Sequence, residues 1–478
     1  MFPSALHLTL RSELTVIPPK LHARYPLLFH RAAYLLLAGD VAALWLCFNI
    51  ASFLRVGTWL EALTWPLVWP LGFVLLSLYI FDAYAPDRSV SGVWAVVRSL
   101  MAVVVGGVLI SIFVYAAGLW GQHTIFGRGV FAVALLLFLP WAVASRYYSA
   151  TWARRYRMNM KWLVLGTGET VEQLYKDYRR SESSGMLEFL AQDAEQVRAS
   201  RFPATVGVID DLERLDLRSY AGILVTQELA LNDSLVKQLM NLRLHGMRIY
   251  DISDFYESLW HKVPVLHLNR GWFVFSHGFD LLHNPIGMRI KRVLDVIVAL
   301  LVLVAALPLM LLVTAVIRLE TPGPAIYRQE RKGENGRVFV LYKLRSMYAN
   351  PEAPQTKWTV EGDPRITRVG RLIRLVRLDE LPQLVNVIRG DMSFIGPRPE
   401  ARELTELYER EIPFYDLRYL IKPGISGWAQ VMYSYGSSVE DAREKLQYDL
   451  FYIKNYSLLL DLAILLKTMR VVLSGKGR

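Results

Sequence analysis

Four apolar stretches, each close to the length of one membrane span, fill the first third of this 478-residue chain. They lie near residues 32–54, 63–81, 100–119 and 125–144. A helix needs about 20 apolar residues to cross the hydrocarbon core of a bilayer, and aromatic side chains favour the two interfaces. Tryptophans stand near the ends of the stretches: Trp59, Trp65, Trp69, Trp120 and Trp141. The pattern predicts an integral membrane protein whose residues 1–158 form a four-helix transmembrane bundle.

The positive charges beside the stretches predict how the bundle is oriented. Loops on the cytoplasmic side carry an excess of lysine and arginine. Such residues precede the first stretch, separate the second from the third and follow the fourth: Arg24, Arg31, Arg88, Arg98, Arg146, Arg154, Arg155, Arg157 and Lys161. The other two loops hold only Arg55 and Arg128. Both ends of the bundle are therefore expected on the cytoplasmic side.

The composition narrows the partners that the chain can have. Its net charge of +11 suits a membrane surface or an anionic phosphate ligand. No basic tail or aromatic-rich RNA motif accompanies that charge, so we expect no nucleic acid partner. The single cysteine, Cys47, excludes an intramolecular disulfide and a zinc site built on cysteines.

Between residues 159 and 283 the pattern changes to short β-rich runs that alternate with helical stretches. Such alternation predicts a small parallel sheet in a Rossmann-like α/β domain. The first run ends in Gly166-Thr167-Gly168, a partial dinucleotide fingerprint with Val171 at the third glycine position. This turn is either a weak nucleotide site or a strand-to-helix connection in a structural or regulatory domain.

A fifth apolar stretch, residues 293–317, differs from the first four because both its flanks are basic. The flanking residues are Arg289, Lys291, Arg292, Arg318, Arg328 and Arg331. If the stretch crossed the bilayer, one flank would have to be exported. Pro308, in its middle, removes a backbone donor and kinks a helix. We therefore predict a re-entrant membrane helix that holds an α-rich catalytic domain, residues 284–478, against membrane lipid at the cytoplasmic face.

After Thr321 the chain carries many arginines and lysines around one pair of carboxylates, Asp379 and Glu380. An arginine binds phosphate oxygens through a planar fork, and a lysine acts as a point charge. A diphosphate substrate also requires Mg²⁺, which takes oxygen ligands from one or two carboxylates. Successive side chains on a helix point about 100° apart, so the two carboxylates can divide these roles. Taken alone, the pair is usual on a solvated surface, and the arginines also suit anionic headgroups.

The motifs after Arg289 closely resemble those of the bacterial sugar transferase family, the polyprenyl-phosphate phosphoglycosyl transferases. They follow in the family's order: Lys343-Leu-Arg345-Ser-Met, Leu378-Asp379-Glu380-Leu-Pro-Gln, Gly396-Pro-Arg398-Pro and Pro423-Gly-Ile-Ser-Gly-Trp-Ala-Gln430. The resemblance covers roughly 190 residues. The bundle and the α/β domain before it resemble the long members, which start exopolysaccharide or O-antigen repeat units.

The resemblance implies a reaction at the bacterial inner membrane. A sugar-1-phosphate would pass from a UDP-sugar to polyprenyl (undecaprenyl) phosphate, and UMP would be released. Asp379 would be the nucleophile that forms a covalent phospho-sugar intermediate. Glu380, beside Asp379, would hold Mg²⁺.

The resemblance also implies roles for residues around the carboxylate pair. Four cations are candidates for phosphate contacts: Lys343, Arg345, Arg365 and Arg398. Asp449 occupies the place of a further acidic residue of the family. Pro308 matches a helix-breaking proline, whereas Leu307 stands where many members carry serine.

Two other functions remain open at this point. A membrane nucleotide-sugar dehydratase would need a complete glycine fingerprint and a Tyr-x-x-x-Lys pair. A non-enzymatic scaffold for polysaccharide assembly would not depend on Asp379. The sugar is not readable from the sequence, and a homodimer through the bundle or the middle domain is plausible for long members.

Overall fold

The computed structural model describes residues 25–473, with internal gaps. The gaps are 61–64, 82, 85–91, 122–124, 126, 159, 181–184, 200–201, 203, 227, 268–271, 273–275, 280–283, 349–362, 434–435 and 437. Arg24 and Arg88, two of the basic residues used above, lie outside the described residues. The chain divides into two compact units, Met1–Phe255 and Tyr256–Arg478.

The first unit begins with four helices, α1 to α4. They span Tyr25–Val56, Trp65–Ile80, Gly92–Ala116 and Arg128–Met158. Three contain segments long and apolar enough to cross a membrane: Ala33–Val56, Val96–Ala116 and Gly129–Trp152. Helix α2 is apolar too, but its 16 residues extend only about 24 Å. The prediction of several apolar helices is confirmed, and three of those in the described part of the bundle are long enough to cross a membrane.

The helices of this bundle pack through apolar side chains and leave others on the outer surface. Helix α1 lies against α4, α2 against α3, and α3 against α4. Phe48 and Phe138 are fully buried between helices, whereas Val104 and Ile112 are about 60% exposed. An outer surface of this kind is suited to lipid.

A buried ion pair joins the first and last helices of the bundle. Arg146 donates to Asp40, at 2.6 Å through Nη1, and Asp40 also accepts from Trp141 Nε1 at 3.0 Å and from the Tyr84 hydroxyl at 2.6 Å. Both charged side chains are less than 5% exposed. Arg146 lies within α4 and not in a loop beyond the fourth stretch. Its charge can be buried there because Asp40 balances it.

A five-stranded sheet follows the bundle in the same unit. Its strands, β1 to β5, are Lys161–Leu165, Met186–Ala191, Thr205–Val208, Tyr220–Val225 and Ile249–Asp251. They are all parallel and lie in the order β3-β2-β1-β4-β5. The connecting helices, α5 to α7, are Glu169–Arg180, Ala194–Ala199 and Asp233–Leu244, and 3₁₀ turns span Ile209–Glu213 and Leu217–Ser219. Helix α8, Ile252–Trp260, follows β5 and continues past the boundary at Phe255. The parallel sheet predicted for this part of the chain is present.

The glycine-rich turn after β1 is filled by a side chain of the protein itself. Glu228 accepts from the Thr170 amide at 3.3 Å and from the Thr170 hydroxyl, in the first turn of α5. A Cβ atom at position 168 would lie 1.6 Å from Glu228 Oε2, so a larger residue there would displace this carboxylate. Helix amino termini of this kind attract anions, and here the carboxylate of Glu228 supplies the negative charge.

We expect Glu228→Ala to loosen the start of α5. Removing a side chain that accepts from a helix's first amides costs about 0.5–2 kcal/mol, so the first turn should open more often. Hydrogen exchange measured by mass spectrometry should show faster exchange at Thr170. Glu195→Ala, an exposed acidic residue at the start of α6, is the control and should leave α5 unchanged. Unchanged exchange in the Glu228 variant would mean that this carboxylate does not cap the helix.

The longest helix, α9 (Pro285–Glu320), opens the main part of the second unit. Asn284 caps it by accepting from the amides of Ile286 and Gly287, and Pro285 suits its first turn. The 36 residues would extend about 54 Å if straight, and Pro308 lies inside the helix. By length and composition this helix is also able to cross a membrane.

Both ends of α9 pack on the second unit, while its middle does not. Ala299, near the start, packs in one cluster with Leu384, Val387 and Met392. Ile317, near the end, packs in another cluster with Ala325, Leu344 and Ile373. Most side chains between these clusters are exposed and apolar, with exposed fractions of 70% for Val304 and 63% for Leu311. The ends of the helix are thus anchored to the same body of protein.

Short elements build the rest of this unit. The strands β6 and β7 (Ile326–Lys332 and Val338–Leu344) pair antiparallel, and β8 and β9 (Ser393–Ile395 and Gly424–Ser426) pair parallel. The helices α10 to α15 are Arg368–Leu375, Gln383–Arg389, Arg402–Glu411, Trp428–Met432, Val439–Lys454 and Leu458–Leu473. Turns of 3₁₀ type span Val265–His267, Glu334–Gly336, Leu378–Glu380 and Tyr415–Leu420.

Two of the sequence motifs meet where β8 pairs with β9. The Gly396 amide donates to the carbonyl of Ser426 at 2.8 Å. A Cβ atom on Gly424 would lie only 2.1 Å from the Gly396 nitrogen. The two segments can therefore approach this closely only because residue 424 has no side chain. The pairing places Arg398, two residues beyond Gly396, at the edge of the carboxylate pair.

Candidate active site

Asp379 and Glu380 lie on a single 3₁₀ turn, Leu378–Glu380, between α10 and α11. The residue before the turn, Arg377, has a left-handed backbone with φ of 57°. This sharp change of direction ends α10 and turns both carboxylates into the unit. Asp379 is 9% exposed and Glu380 is 6% exposed.

Three cations surround the Glu380 carboxylate. Arg398 Nη2 lies 2.6 Å and Lys343 Nζ 3.4 Å from Oε1, and Arg377 Nη1 lies 3.5 Å from Oε2. Burial opposes ionisation of Glu380, but Arg398 and Lys343 outweigh it and hold the pKa of this carboxyl well below its usual range. Glu380 is therefore ionised at neutral pH and fixed in position.

Asp379 is held in a different way. Among the described residues, none lies within hydrogen-bonding or ion-pair distance of its carboxylate. Burial and the adjacent charge of Glu380 raise the pKa of Asp379, while Lys343 and Arg398 oppose that rise. The Glu380 carboxylate is thus held by three cations, and the Asp379 carboxylate keeps its oxygens available for a ligand.

The cations reach the pair from separate elements. Lys343 lies on β7, where it stands opposite Tyr327 of β6. Burial lowers the pKa of its ammonium, although Glu380 opposes the shift. Arg398 follows β8, and the charge of Glu380 raises the pKa of its guanidinium above the usual range. The antiparallel pair β6–β7 and the segment after β8 thus bring the positive charges of Lys343 and Arg398 to the Glu380 carboxylate.

Asp449 is linked to this site through a second arginine. Its Oδ2 accepts from Arg418 Nη2 at 2.7 Å, and the same nitrogen donates to the backbone carbonyl of Arg398 at 2.9 Å. Burial raises the pKa of the Asp449 carboxyl to about 6, while Arg418 opposes the rise. Asp449 lies on α14 and is 2% exposed, so in this structure it supports the loop that carries Arg398.

The other sequence-predicted cations make different contacts. Arg345 donates to the carbonyls of Thr321 and Pro322, each at 2.7 Å, just beyond the end of α9. Arg365 pairs with Asp363 at 2.6 Å. The structure therefore brings Lys343 and Arg398 to the carboxylate pair, and it places Arg345 beside the residues that follow α9.

Sequence reasoning missed Arg377 and Arg418 as site residues. Arg377 directly precedes the Leu-Asp-Glu turn, and that position was the available signal. Arg418 lies in no recognisable motif. It donates to the backbone carbonyl of residue 398, which any amino acid would supply, so the sequence around Arg398 gives no sign of this contact.

The carboxylate pair fits a metal ion that is shared with a substrate. Among the described residues, no three His, Cys, Asp or Glu side chains are grouped closely enough to hold a metal alone. Mg²⁺ needs only one or two carboxylates when diphosphate oxygens and water complete its shell. Asp379 and the Oε2 atom of Glu380, which has one cation at 3.5 Å, can supply such ligands.

Comparison with known proteins finds relatives of the part of the chain that contains Asp379 and Glu380. A family model described as bacterial sugar transferase matches residues 286–475. A UDP-N-acetylgalactosamine-undecaprenyl-phosphate N-acetylgalactosaminephosphotransferase of Aeromonas hydrophila is 44% identical over 239 residues, which are 50% of this chain and 55% of that protein. The chain thus spans little more than half the length of this relative.

Two further relatives extend the similarity. A UDP-glucose:undecaprenyl-phosphate glucose-1-phosphate transferase of Caulobacter vibrioides is 45% identical over 186 residues, 38% of this chain and 70% of that protein. An undecaprenyl-phosphate galactose phosphotransferase of Salmonella typhimurium is 29% identical over 398 residues, 74% of this chain and 80% of that protein. The names of these relatives share the acceptor and differ in the sugar.

Proposed function

Because the chain belongs to the bacterial sugar transferase family, we propose that it is a membrane phosphoglycosyl transferase. It transfers a sugar-1-phosphate from a UDP-sugar to undecaprenyl phosphate and releases UMP, as the first membrane step of exopolysaccharide or O-antigen synthesis. The observation that supports this best is that the two carboxylates of the pair, Asp379 and Glu380, have different surroundings. Glu380 is held by three cations, whereas Asp379 has no partner among the described residues.

The available carboxylate suits a two-step displacement. An Asp379 oxygen attacks the phosphorus that carries the sugar, the bond from that phosphorus to the UMP oxygen breaks, and UMP leaves with the electron pair. An oxygen of undecaprenyl phosphate then attacks the same phosphorus and releases the Asp379 carboxylate. Splitting one displacement into two in this way predicts ping-pong kinetics.

The surrounding cations supply the electrostatics of both steps. Lys343 and Arg398 both lie beside Oε1 of Glu380 and would offset the negative charge of a diphosphate. Asp379 and Glu380 would hold Mg²⁺, which adds further neutralisation of the diphosphate and of the departing nucleotide when it is bound. Arg418 and Asp449 keep the Arg398 loop in place.

The membrane arrangement is part of the same proposal. Helix α9 enters the bilayer and returns, because its start and its end both pack on the second unit and its apolar middle is exposed. Pro308 is the expected bend. The basic residues on both flanks then stay on the cytoplasmic face of the inner membrane, where a nucleotide sugar and a lipid phosphate can meet.

The middle of the chain, residues 159–283, forms a Rossmann-like domain in this proposal. Its strand order β3-β2-β1-β4-β5 is that of a doubly wound sheet. Because Glu228 fills the turn where such domains receive phosphates, we assign the domain a structural or regulatory role. Homodimerisation through the bundle or this domain is compatible with that role.

We expect the detergent-solubilised protein to release UMP when supplied with undecaprenyl phosphate, Mg²⁺ and one member of a panel of UDP-sugars. The panel should include UDP-glucose, UDP-galactose and UDP-N-acetylgalactosamine. EDTA should abolish release and added Mg²⁺ should restore it, because the diphosphate would otherwise face the carboxylate pair without a divalent cation. Absence of UMP with every sugar would refute the proposed reaction, and release unaffected by EDTA would refute the metal requirement.

A further inference from the structure

Arg377 is held in a backbone conformation that side chains rarely adopt. Its φ of 57° and ψ of 24° lie in the left-handed region, which favours glycine. Residues in such conformations persist where the surrounding structure holds them, and they are frequent at binding sites. The left-handed turn directs the chain from α10 into the turn that carries Asp379 and Glu380.

The Arg377 side chain points into the same site. It is 23% exposed, and its Nη1 atom lies 3.5 Å from Glu380 Oε2. Burial lowers the pKa of its guanidinium, while Glu380 opposes the shift. In the described part of the chain its buried Nε atom has no hydrogen-bond partner.

Arg377 makes the longest of the three cation contacts with Glu380. Arg398 lies 2.6 Å and Lys343 3.4 Å from Oε1. Among the described residues, Arg377 is the cation near Oε2, and at 3.5 Å its charged hydrogen bond is weak. Lys343, Arg377 and Arg398 carry three positive charges, and the carboxylate pair carries two negative charges when both groups are ionised. A bound anion would therefore bring the net charge of this group closer to zero.

We propose that Arg377 is a binding residue for the diphosphate of the donor. On binding, its guanidinium exchanges Glu380 Oε2 for phosphate oxygens, for which its planar fork is better suited than a lysine. The guanidinium would thus bind the phosphates between the uridine and the sugar of the donor. This inference rests on the proposed function, since it assumes a nucleotide diphosphate sugar.

The test compares three substitutions at this position. Arg377→Gln removes the charge, Arg377→Lys keeps the charge without the fork, and Arg377→Gly removes the side chain but suits the left-handed backbone. Arg371→Gln, on the exposed face of α10, is the matched control. Steady-state UMP release gives KM for the UDP-sugar and for undecaprenyl phosphate, and calorimetry gives the affinity for UDP.

We expect Arg377→Gln and Arg377→Gly to weaken UDP binding and to raise the donor KM about tenfold or more, the effect of losing one charge-assisted contact. Arg377→Lys should lie between them and the wild type. Wild-type donor KM and UDP affinity in the glutamine and glycine variants would overturn the inference. A donor KM that changes only in Arg377→Gln and not in Arg377→Gly would also overturn it, since that pattern indicates a backbone effect.

The calorimetric measurement separates this inference from the reaction itself. If the wild type binds UDP but releases no UMP with any sugar, the proposed function fails. The UDP affinity of Arg377→Gln then still decides the role of Arg377: weaker binding than the wild type supports a role in binding, and equal binding excludes it. If the wild type releases UMP and the variants bind UDP as it does, the inference fails and the proposed function stands.

Discussion

Asp379→Asn should abolish UMP release without making the protein less stable. Asparagine has nearly the shape of aspartate but is not a nucleophile, so the rate should fall by at least about a thousandfold. Burial and the charge of Glu380 make the ionised form of Asp379 unfavourable, as the raised pKa of this carboxyl shows. A neutral side chain removes that cost, so the melting temperature should be unchanged or higher.

The measurement is UMP release and thermal melting on the same purified preparation. Asp416→Asn, an exposed carboxylate on the 3₁₀ turn Tyr415–Leu420, is the control and should behave as the wild type in both assays. Radiolabelled sugar phosphate should remain on the wild-type protein when acceptor is omitted and should be missing from the Asp379 variant. Substantial transfer by the variant would contradict a covalent role for this residue.

Glu380→Gln should lower both the activity and the stability, which sets it apart from its neighbour. Without the Glu380 charge, the partly buried cations Lys343, Arg377 and Arg398 lose the carboxylate nearest to them. Removing one partner of a buried pair costs about 3–5 kcal/mol, and the partial exposure of these cations reduces the expected loss to about 1–3 kcal/mol. The melting temperature should therefore fall by several degrees.

The pH dependence of this loss has a defined sign. The lowered pKa of Glu380 means that its contribution to stability is fully present above its unfolded pKa of about 4.3 and is lost only as the pH falls toward the lower folded value. The difference in melting temperature between wild type and Glu380→Gln should thus persist from pH 7 to about pH 5. Glu406→Gln, which breaks an exposed pair with Arg402, should change little. Equal melting temperatures for the wild type and Glu380→Gln would show that the three cations do not depend on this carboxylate.

The part of the site that the sequence predicts best is the part built from contiguous motifs. Asp379 and Glu380 are adjacent, and the ordered motifs place Lys343 and Arg398 near them. Arg345 illustrates the limit. Lys343 and Arg345 would share a face of one strand, but β7 ends at Leu344, and Arg345 turns instead to the free carbonyls at the end of α9. A strand end of this kind cannot be located to one residue from the pattern.

Long-range contacts account for the rest of what the sequence does not predict. Glu228 lies 58 residues from Thr170, and nothing near the glycine turn indicates that a distant carboxylate fills it. Arg365 pairs with Asp363 two residues away, a local contact that competes with any distant phosphate. The apolar part of α9 was predicted from Val293, but the helix begins at Pro285 because Asn284 caps it and its first turns pack on the second unit.

The pair between Asp40 and Arg146 has a consequence for how the protein is made. Asp40 leaves the ribosome 106 residues before Arg146, so α1 meets the bilayer with an uncompensated carboxylate. An unpaired aspartate within a membrane helix is costly, by about 2.5–3.5 kcal/mol at the helix centre on insertion scales. We therefore expect α4, once it has been translated, to stabilise α1 by bringing the neutralising charge of Arg146 to Asp40.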